Sequence, residues 1–554
     1  MNKNYRLMLP GDSFPSLSLE IAIDLETTGL SLADPDIQAC GIGIGDSEGQ
    51  YYFPLRHQAS PESSALSEMN YRGQEQERLA QWLTEILQVP SRRVIFHNAA
   101  FDLGFLRKEF AWKDWSVLAV QVEDSMILAT LLNENRSVSL EQLTRNVLRI
   151  PPEQKEKFQG FFQFYTLSPK IVSDYCCEDV WLTLNVWKKL TQHADCEILQ
   201  AAYRQEIRFS LTLAQMELQG CSYSIEELKR IREQFSLGWE NLLEEVYDLL
   251  PKTIDKNEFL RAPGAITKEC IQLFKQFPIH EQPQTLEALQ RITPLLESYD
   301  RLGKMLALFP VSNGGVVSPR YNVLKADGRL ISSLYEVEKN PLSQDWELKK
   351  LIAVPSTNWL CEITFEDLFP RLGLAFSQDA LYEEMLQNPL YDLSGALVQQ
   401  LPKFSRSQIQ ELLYLFFFDP KKWGKSGPFE SVRAVFETLF PHWIQCQQKW
   451  QEDISRFGFI TSFLGRRRHL SFENVERASA SFLYLCGSEF MKTLLNFLPQ
   501  ATLLQIENRL LLKVSSREET DLFLQQIPNP LQIGSYRVPF QIRKSFGKNW
   551  QENL

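Results

Sequence analysis

Residues 19–30 read LEIAIDLETTGL, and this stretch constrains the fold more than any other. Side chains along a β-strand alternate between its two faces. Ile21, Ile23 and Leu25 therefore share one face, and Asp24 and Glu26 share the other. The first face needs a core to pack on. The second crowds two carboxylates, which repel each other unless a cation lies between them. From this stretch alone, a solvated strand face accounts for the pair as well as a site does.

The surroundings extend the sheet. ACGIGIG at 39–45 and YYFPL at 51–55 read as further strands, and residues 74–88 have helical periodicity. VIFHNAAFDLGFL at 94–106 reads as a strand running into a helix over 102–107, and 119–147 reads as mostly helical. Pro169 to Leu190 reads as a helix after Ser168, with proline at an early helical position. Early strands with alternating helices predict an α/β domain over residues 1–195. After His193 the texture changes. Residues 203–250 are helical with a break at 219–224, and 252–268 are irregular around Pro251, Pro263 and Gly264. Helical periodicity returns at 284–308, turns and strands fill 311–365, and helices dominate 366–500. ATLLQIENRLLLKV at 501–514 then predicts a hairpin with a polar tip. The second domain, 196–554, reads as α+β.

Composition bounds the rest. The chain has 554 residues, 44% of them hydrophobic and 23% charged, which suits two packed domains and excludes disorder. A net charge of -11 argues against a cation-coated chain but leaves room for a local basic groove. Nine scattered cysteines without C-x-x-C spacing predict reduced thiols in a cytoplasmic protein and no zinc site. No signal-peptide core and no long apolar run occur, so no membrane association is expected.

Two further segments carry chemistry. His97-Asn98-Ala99-Ala100-Phe101-Asp102 follows the apolar run Val94–Phe96, so Asp102 lies at a strand's end. It suits a site there, or simply a helix cap. Tyr175 and Asp179 are four apart on a helix and share a face, the spacing of a site pair or of a surface hydrogen bond. In order, the three segments give D-x-E after a strand, N-x-x-x-D at a strand end and Y-x-x-x-D on a helix. This set resembles the proofreading 3′→5′ exonucleases of the DEDD superfamily, in the version with tyrosine in its third motif. Asp124 also falls where that family keeps an aspartate. The resemblance implies a ribonuclease H-like domain and two divalent cations, Mg²⁺ or Mn²⁺, held by Asp24, Glu26, Asp102 and Asp179. It implies that Tyr175 orients the attacking water and that Thr27, Asn98 and Phe101 contact the 3′-terminal nucleotide.

From about residue 203 the chain resembles the polymerase domain of family-A DNA polymerases, a right hand of palm, fingers and thumb. LAQMELQGCSYSIEEL, Asp327-Gly328-Arg329-Leu330-Ile331-Ser332-Ser333, FGFITSFLGRRRHL and the 501–514 hairpin carry the likeness. The departures are chemical. Thr364 stands where a metal-binding aspartate is expected, and Phe369 where a glutamate is; Arg371 keeps the family arginine. Glu362, Glu366 and Asp367 lie close by. In SRSQIQELLYLFFFDPKKWG, Gln408 and Leu412 replace the two triphosphate-gripping cations, Phe416 is kept, and Arg406 is the nearest substitute. At the hairpin tip, Glu507-Asn508-Arg509 replaces a histidine-aspartate-glutamate turn, so Asn508 takes the place of the second aspartate. A neutral amide is a far weaker magnesium ligand than a carboxylate, and Arg509 repels a cation. The expectation is a metal-dependent 3′→5′ exonuclease acting on DNA 3′ ends, with a polymerase-like domain that binds DNA without extending it. Arg329, Arg371, Arg466, Arg467 and Arg468, with Lys421, Lys422 and Lys425, are the expected phosphate contacts. An active polymerase with proofreading, or an exonuclease that trims RNA, stays open as an alternative.

Overall fold

The computed structural model describes residues 4–58, 69–118, 120–158, 163–248, 283–309, 315–322, 325–419, 429–498 and 501–553. The first part of the chain is a sheet with helices on both faces. Its strands are β1 (Tyr5–Leu7), β2 (Glu20–Thr27), β3 (Ala39–Gly45), β4 (Gln50–Pro54), β5 (Arg93–Phe96) and β6 (Gln121–Asp124). They form a 6-stranded sheet in the order β1-β4-β3-β2-β5-β6. β2 runs antiparallel to β3 and parallel to β5, with Asp24 opposite Gly43 and Glu26 opposite Gly41. The helices are α1 (Gln74–Leu87), α2 (Ala99–Glu109), α3 (Ser125–Leu132), α4 (Leu140–Leu143), α5 (Glu153–Lys157), α6 (Pro169–Leu190) and α7 (Gln200–Gln219).

α6 crosses the sheet over β1 to β4, and its start matches the expectation, with Ser168 before it and Pro169 at its first turn. It lies so close to β3 that a Cβ on Gly43 would sit 2.6 Å from Cys176 Sγ and 2.9 Å from Val180 Cγ2. Only a glycine there lets the helix approach this far.

The second body is built on a 4-stranded antiparallel sheet. Its strand Trp359–Glu366 lies between Arg509–Val514 and Gln541–Gly547, and Thr502–Ile506 completes it. The predicted hairpin is therefore present, with its turn at Glu507-Asn508. Helices Leu368–Ser377, Arg406–Phe418, Pro441–Phe457 and Ala478–Leu495 pack on one another in an aromatic core that includes Phe417, Trp443, Trp450 and Phe482.

α7 belongs to both bodies. Its Leu199-side residues Ala202, Tyr203 and Ile207 are buried in the first core, while Phe209, Leu213 and Met216 are buried in the second. Burial of apolar side chains on both sides makes it a joint that neither body releases cheaply.

Two sequence expectations change. Residues 119–147 hold the helical stretches Ser125–Leu132, Leu140–Leu143 and Thr144–Leu148, but Gln121–Asp124 form a strand paired with β5, and Asp124 then caps α3. Asp102 does not begin α2; Asn98 is its N-cap and Asp102 lies in its first turn. The irregular stretch 252–268 and Lys421, Lys422 and Lys425 lie outside the described residues.

Candidate active site

β2 delivers Asp24, half-buried, and Glu26, 7% exposed. α2 delivers Asp102, which is 3% exposed and accepts the Leu25 backbone N–H at 3.1 Å through Oδ1. That bond ties Asp102 to the strand between the two acids. Burial, and then the charge of Asp24, push the Asp102 carboxyl well above the usual carboxylate range. Acids held this way favour either a proton or a cation between them.

Asp124 sets the position of α2. Its carboxylate is fully buried and accepts four backbone N–H groups. Oδ2 takes Asn98 at 3.2 Å and Ala99 at 2.6 Å, and Oδ1 takes Met126 at 2.8 Å and Ile127 at 3.0 Å. One carboxylate thus satisfies the open N-termini of α2 and α3 together. It also holds Asn98 in a left-handed conformation, with φ 89°. From α7, the Tyr203 hydroxyl donates to Glu123 at 2.8 Å and accepts the Asp124 N–H at 2.9 Å. The sequence marked Asp124 only by resemblance; its visible work is to fix the helix that carries Asn98, Phe101 and Asp102.

α6 delivers Tyr175, Cys176 and Asp179. The Tyr175 ring packs on Phe164 at 4.5 Å and Phe158 at 5.8 Å between centroids. Asp179 is 4% exposed. Cys176 was not singled out in the sequence. Its Sγ lies 3.5 Å from Asp24 Oδ2 and 3.6 Å from the Asp24 carbonyl oxygen. Donor atoms of Asp24, Glu26 and Cys176 all lie within 4.8 Å of one another. Burial pushes the Cys176 thiol well up, and the charges of Asp24, Glu26 and Asp179 add to it. Around this centre, Thr27 Oγ1 donates to the Gly29 carbonyl at 2.6 Å, and Phe101 packs on Phe105 at 4.8 Å. Converging carboxylates on rigid elements suit a hard divalent cation.

The second body's candidates are engaged differently. Thr364 is paired across the sheet with Arg509 and Arg543, and its hydroxyl lies 3.4 Å from Glu362 Oε1. Glu362 accepts the indole N–H of Trp550, and Arg509 bridges Glu338 and Glu362. Asn508 Nδ2 donates to the Phe365 carbonyl at 2.8 Å, and Glu507 pairs with Lys339 at 3.0 Å. Gln408 closes a capping box with Ser405, Arg406 pairs with Asp392 at 2.6 Å, and Leu412 and Phe416 are core. Phe369 packs edge-on against Phe418 at 4.9 Å and Tyr484 at 5.8 Å.

The expected phosphate arginines also have protein partners. Arg371 is fully buried and donates to the Tyr391 carbonyl and to Gln541. Arg466 pairs with Glu206 of α7 at 2.6 Å, inside a buried cluster with Lys492. Arg467 pairs with Asp195 at 2.7 Å, and Arg468 and His469 each pair with Glu134 at 2.8 Å. Instead of facing outward as a basic patch, this turn clamps the two bodies together. Arg329 pairs with Asp327 at 2.8 Å and lies 4.0 Å over the Tyr484 ring, beside a cleft also lined by Phe369 and Glu507.

Residues 12–195 match the family of 3′-5′ exonuclease domains of the DNA polymerase A type. No protein with a curated description is similar enough to match. Among solved structures, the POL domain of Pol1 from M. smegmatis, in complex with DNA primer-template and dNTP, superposes with a TM-score of 0.67. The match covers 99% of this chain and 100% of that one at 18% identity, a likeness of fold. The chain therefore joins a ribonuclease H-like 3′-5′ exonuclease domain to a body with the fold of a DNA polymerase I polymerase domain.

Proposed function

We propose that the chain is a metal-dependent 3′→5′ exonuclease acting on DNA 3′ ends, and that its second body does not polymerise. The observation that carries the reading is the convergence of Asp24 and Glu26 from β2 and Asp102 from α2, with Tyr175 and Asp179 presented by α6. Divalent cations, when bound, supply an activated water and neutralise the leaving oxygen. Asp24, Glu26 and Asp179 hold one such ion, and Asp24 with Asp102 positions a second. The Tyr175 phenol, a poor base at neutral pH, orients the water by hydrogen bonding. Phe101 offers a face to the terminal base, and Asn98, fixed by Asp124, contacts the terminal sugar or phosphate.

Against polymerisation stand the neutral Thr364 and Asn508, with Arg509 already paired to Glu338 and Glu362 in the same place. Two-metal nucleotide addition needs carboxylates that are free to bind metal. The relative solved with primer-template and dNTP suggests that this body lies along DNA.

The test uses purified full chain, Mg²⁺ and matched 3′-labelled DNA and RNA single strands. Release of 3′ nucleotides from DNA is expected, with Asp24→Ala and Asp102→Ala each lowering the rate more than about 100-fold. Equal cleavage by those variants and wild type would sink the reading. Preferential release from RNA would move the substrate class.

A further inference from the structure

We propose that Cys176 adds a sulfur ligand to the cation held at Asp24, Glu26 and Asp179, and that it makes this centre selective for borderline-soft divalent cations such as Zn²⁺ and Cd²⁺. The inference rests on the exonuclease reading for the presence of a cation, and adds its ligand set and preference. It begins from a mixed cluster in which two carboxylates and a thiol converge within 4.8 Å.

The distances suit one ion. A zinc ion lies about 2.3 Å from sulfur and about 2.0–2.2 Å from a carboxylate oxygen. At a tetrahedral angle those bonds hold the two donors about 3.5–3.7 Å apart. Cys176 Sγ lies 3.5 Å from Asp24 Oδ2. The helix that carries the thiol is held against the sheet by Gly43, so this separation is set by rigid elements. Without metal, the same geometry serves a proton: the thiol donates to the Asp24 carboxylate. On binding, the metal replaces that proton, which leaves to solvent, and the sulfur coordinates as thiolate. Soft thiolate selects zinc and its congeners over magnesium, which keeps to oxygen. Nothing in the sequence hints at this pairing, because Cys176 is 152 residues from Asp24 and lacks C-x-x-C spacing.

The probe is Cd²⁺ added to metal-free full chain at one equivalent, read as thiolate-to-cadmium charge-transfer absorption in the ultraviolet. Wild type is expected to show the band, and so is Cys177→Ala, whose thiol faces Ser173 instead. Cys176→Ala, the near-isosteric Cys176→Ser and Asp24→Asn are each expected to lack it. Zn²⁺ affinity, measured against a chelator, is expected to fall about 10- to 100-fold in Cys176→Ser. Thermal unfolding of each variant shows whether it is folded, and the serine variant carries the test if the alanine variant is not. A band of equal strength in folded Cys176→Ser and wild type overturns the proposal. Nucleotide release by wild type, with Mg²⁺ and with Zn²⁺ in separate assays, is measured alongside. Release without a cysteine-dependent band ends this inference and leaves the exonuclease reading standing. A cysteine-dependent band without release establishes the ligand and ends the exonuclease reading.

Discussion

Asn508 shows how little one residue can restore. Its amide donates to the Phe365 carbonyl at 2.8 Å and helps fix the hairpin tip. Changing it to aspartate returns one ligand, replaces a donor with a charge facing a carbonyl, and leaves Thr364 and Arg509 as they are. Asn508→Asp is expected to lose about 1–2 kcal/mol of stability and to add no nucleotides in primer extension. Robust extension by that variant would show that the second body is closer to a polymerase than proposed. Glu489 gives a second prediction at this scale. It is 2% exposed, accepts from Ser462, and lies beside Arg466 and Lys492. Burial pushes its carboxyl from 4.5 up to about 7, against the pull of Ser462, Arg466 and Lys492. Between those values the unfolded chain releases its proton while the folded chain keeps it. Stability therefore falls by about 3 kcal/mol as pH rises from about 4.5 to about 7, and is flat beyond. In Glu489→Gln that fall should vanish; melting temperatures of both proteins across this range decide it.

At the scale of elements, the approach of α6 to β3 decides whether the site exists. Gly43→Ala puts a methyl group 2.6 Å from Cys176 Sγ, so the helix must retreat by several tenths of an ångström. The expected cost is about 1–3 kcal/mol of stability. A helix displaced in this way moves Tyr175 and Asp179 together, so exonuclease activity should fall further than stability alone explains. Single-strand cleavage assayed well below the melting temperature measures the difference. Long periodic elements were legible in the sequence: α6, α7 and the 501–514 hairpin carry enough repeats to declare their period. β6 was not, because four residues with Val122 as their main apolar anchor show no alternation against the helix that follows. Gln541–Gly547 was missed because it is an edge strand carrying Arg543 and Lys544, which suit solvent as well as a loop does. At the site, the order of the acids and Tyr175 was readable, since each sits in its own short motif. The tasks of Asp124 and Cys176 were not, because their partners lie far away in the chain. Arg466–Arg468 read as a phosphate patch for the same reason: nothing near 466 announces Glu206, Asp195 or Glu134.

Across the whole molecule, that basic turn acts as a clasp. Glu134, with a side chain 1% exposed, receives Arg468 and His469 from the second body. Burial works against its charge, yet His469 and Arg468 hold its carboxyl below the usual range. The same residue lines a cleft with His97, Asn98 and Arg136, at the N-terminal end of the helix that carries Asp102. The second body therefore braces one wall of that cleft. Glu134→Gln is expected to cost about 2 kcal/mol, because Arg468 loses its charged partner in a half-buried place. It should raise KM for a single strand more than it lowers kcat, since the ligands on β2, α2 and α6 stay put. An unchanged KM would show that the clasp only joins the bodies.

The shared helix α7 gives the second body a role beside the nuclease that does not depend on nucleotide addition. Tyr203 holds the strand that ends in Asp124, while Phe209, Leu213 and Met216 on the same helix are sealed by the other core. A nuclease cut free at residue 195 would lose that prop and expose the apolar face it covers. Mutations that loosen α7 reach the strand that ends in Asp124, whereas Thr364 and Asn508 belong to the other body. Selection on the nuclease alone is then enough to preserve the architecture of its neighbour as a scaffold.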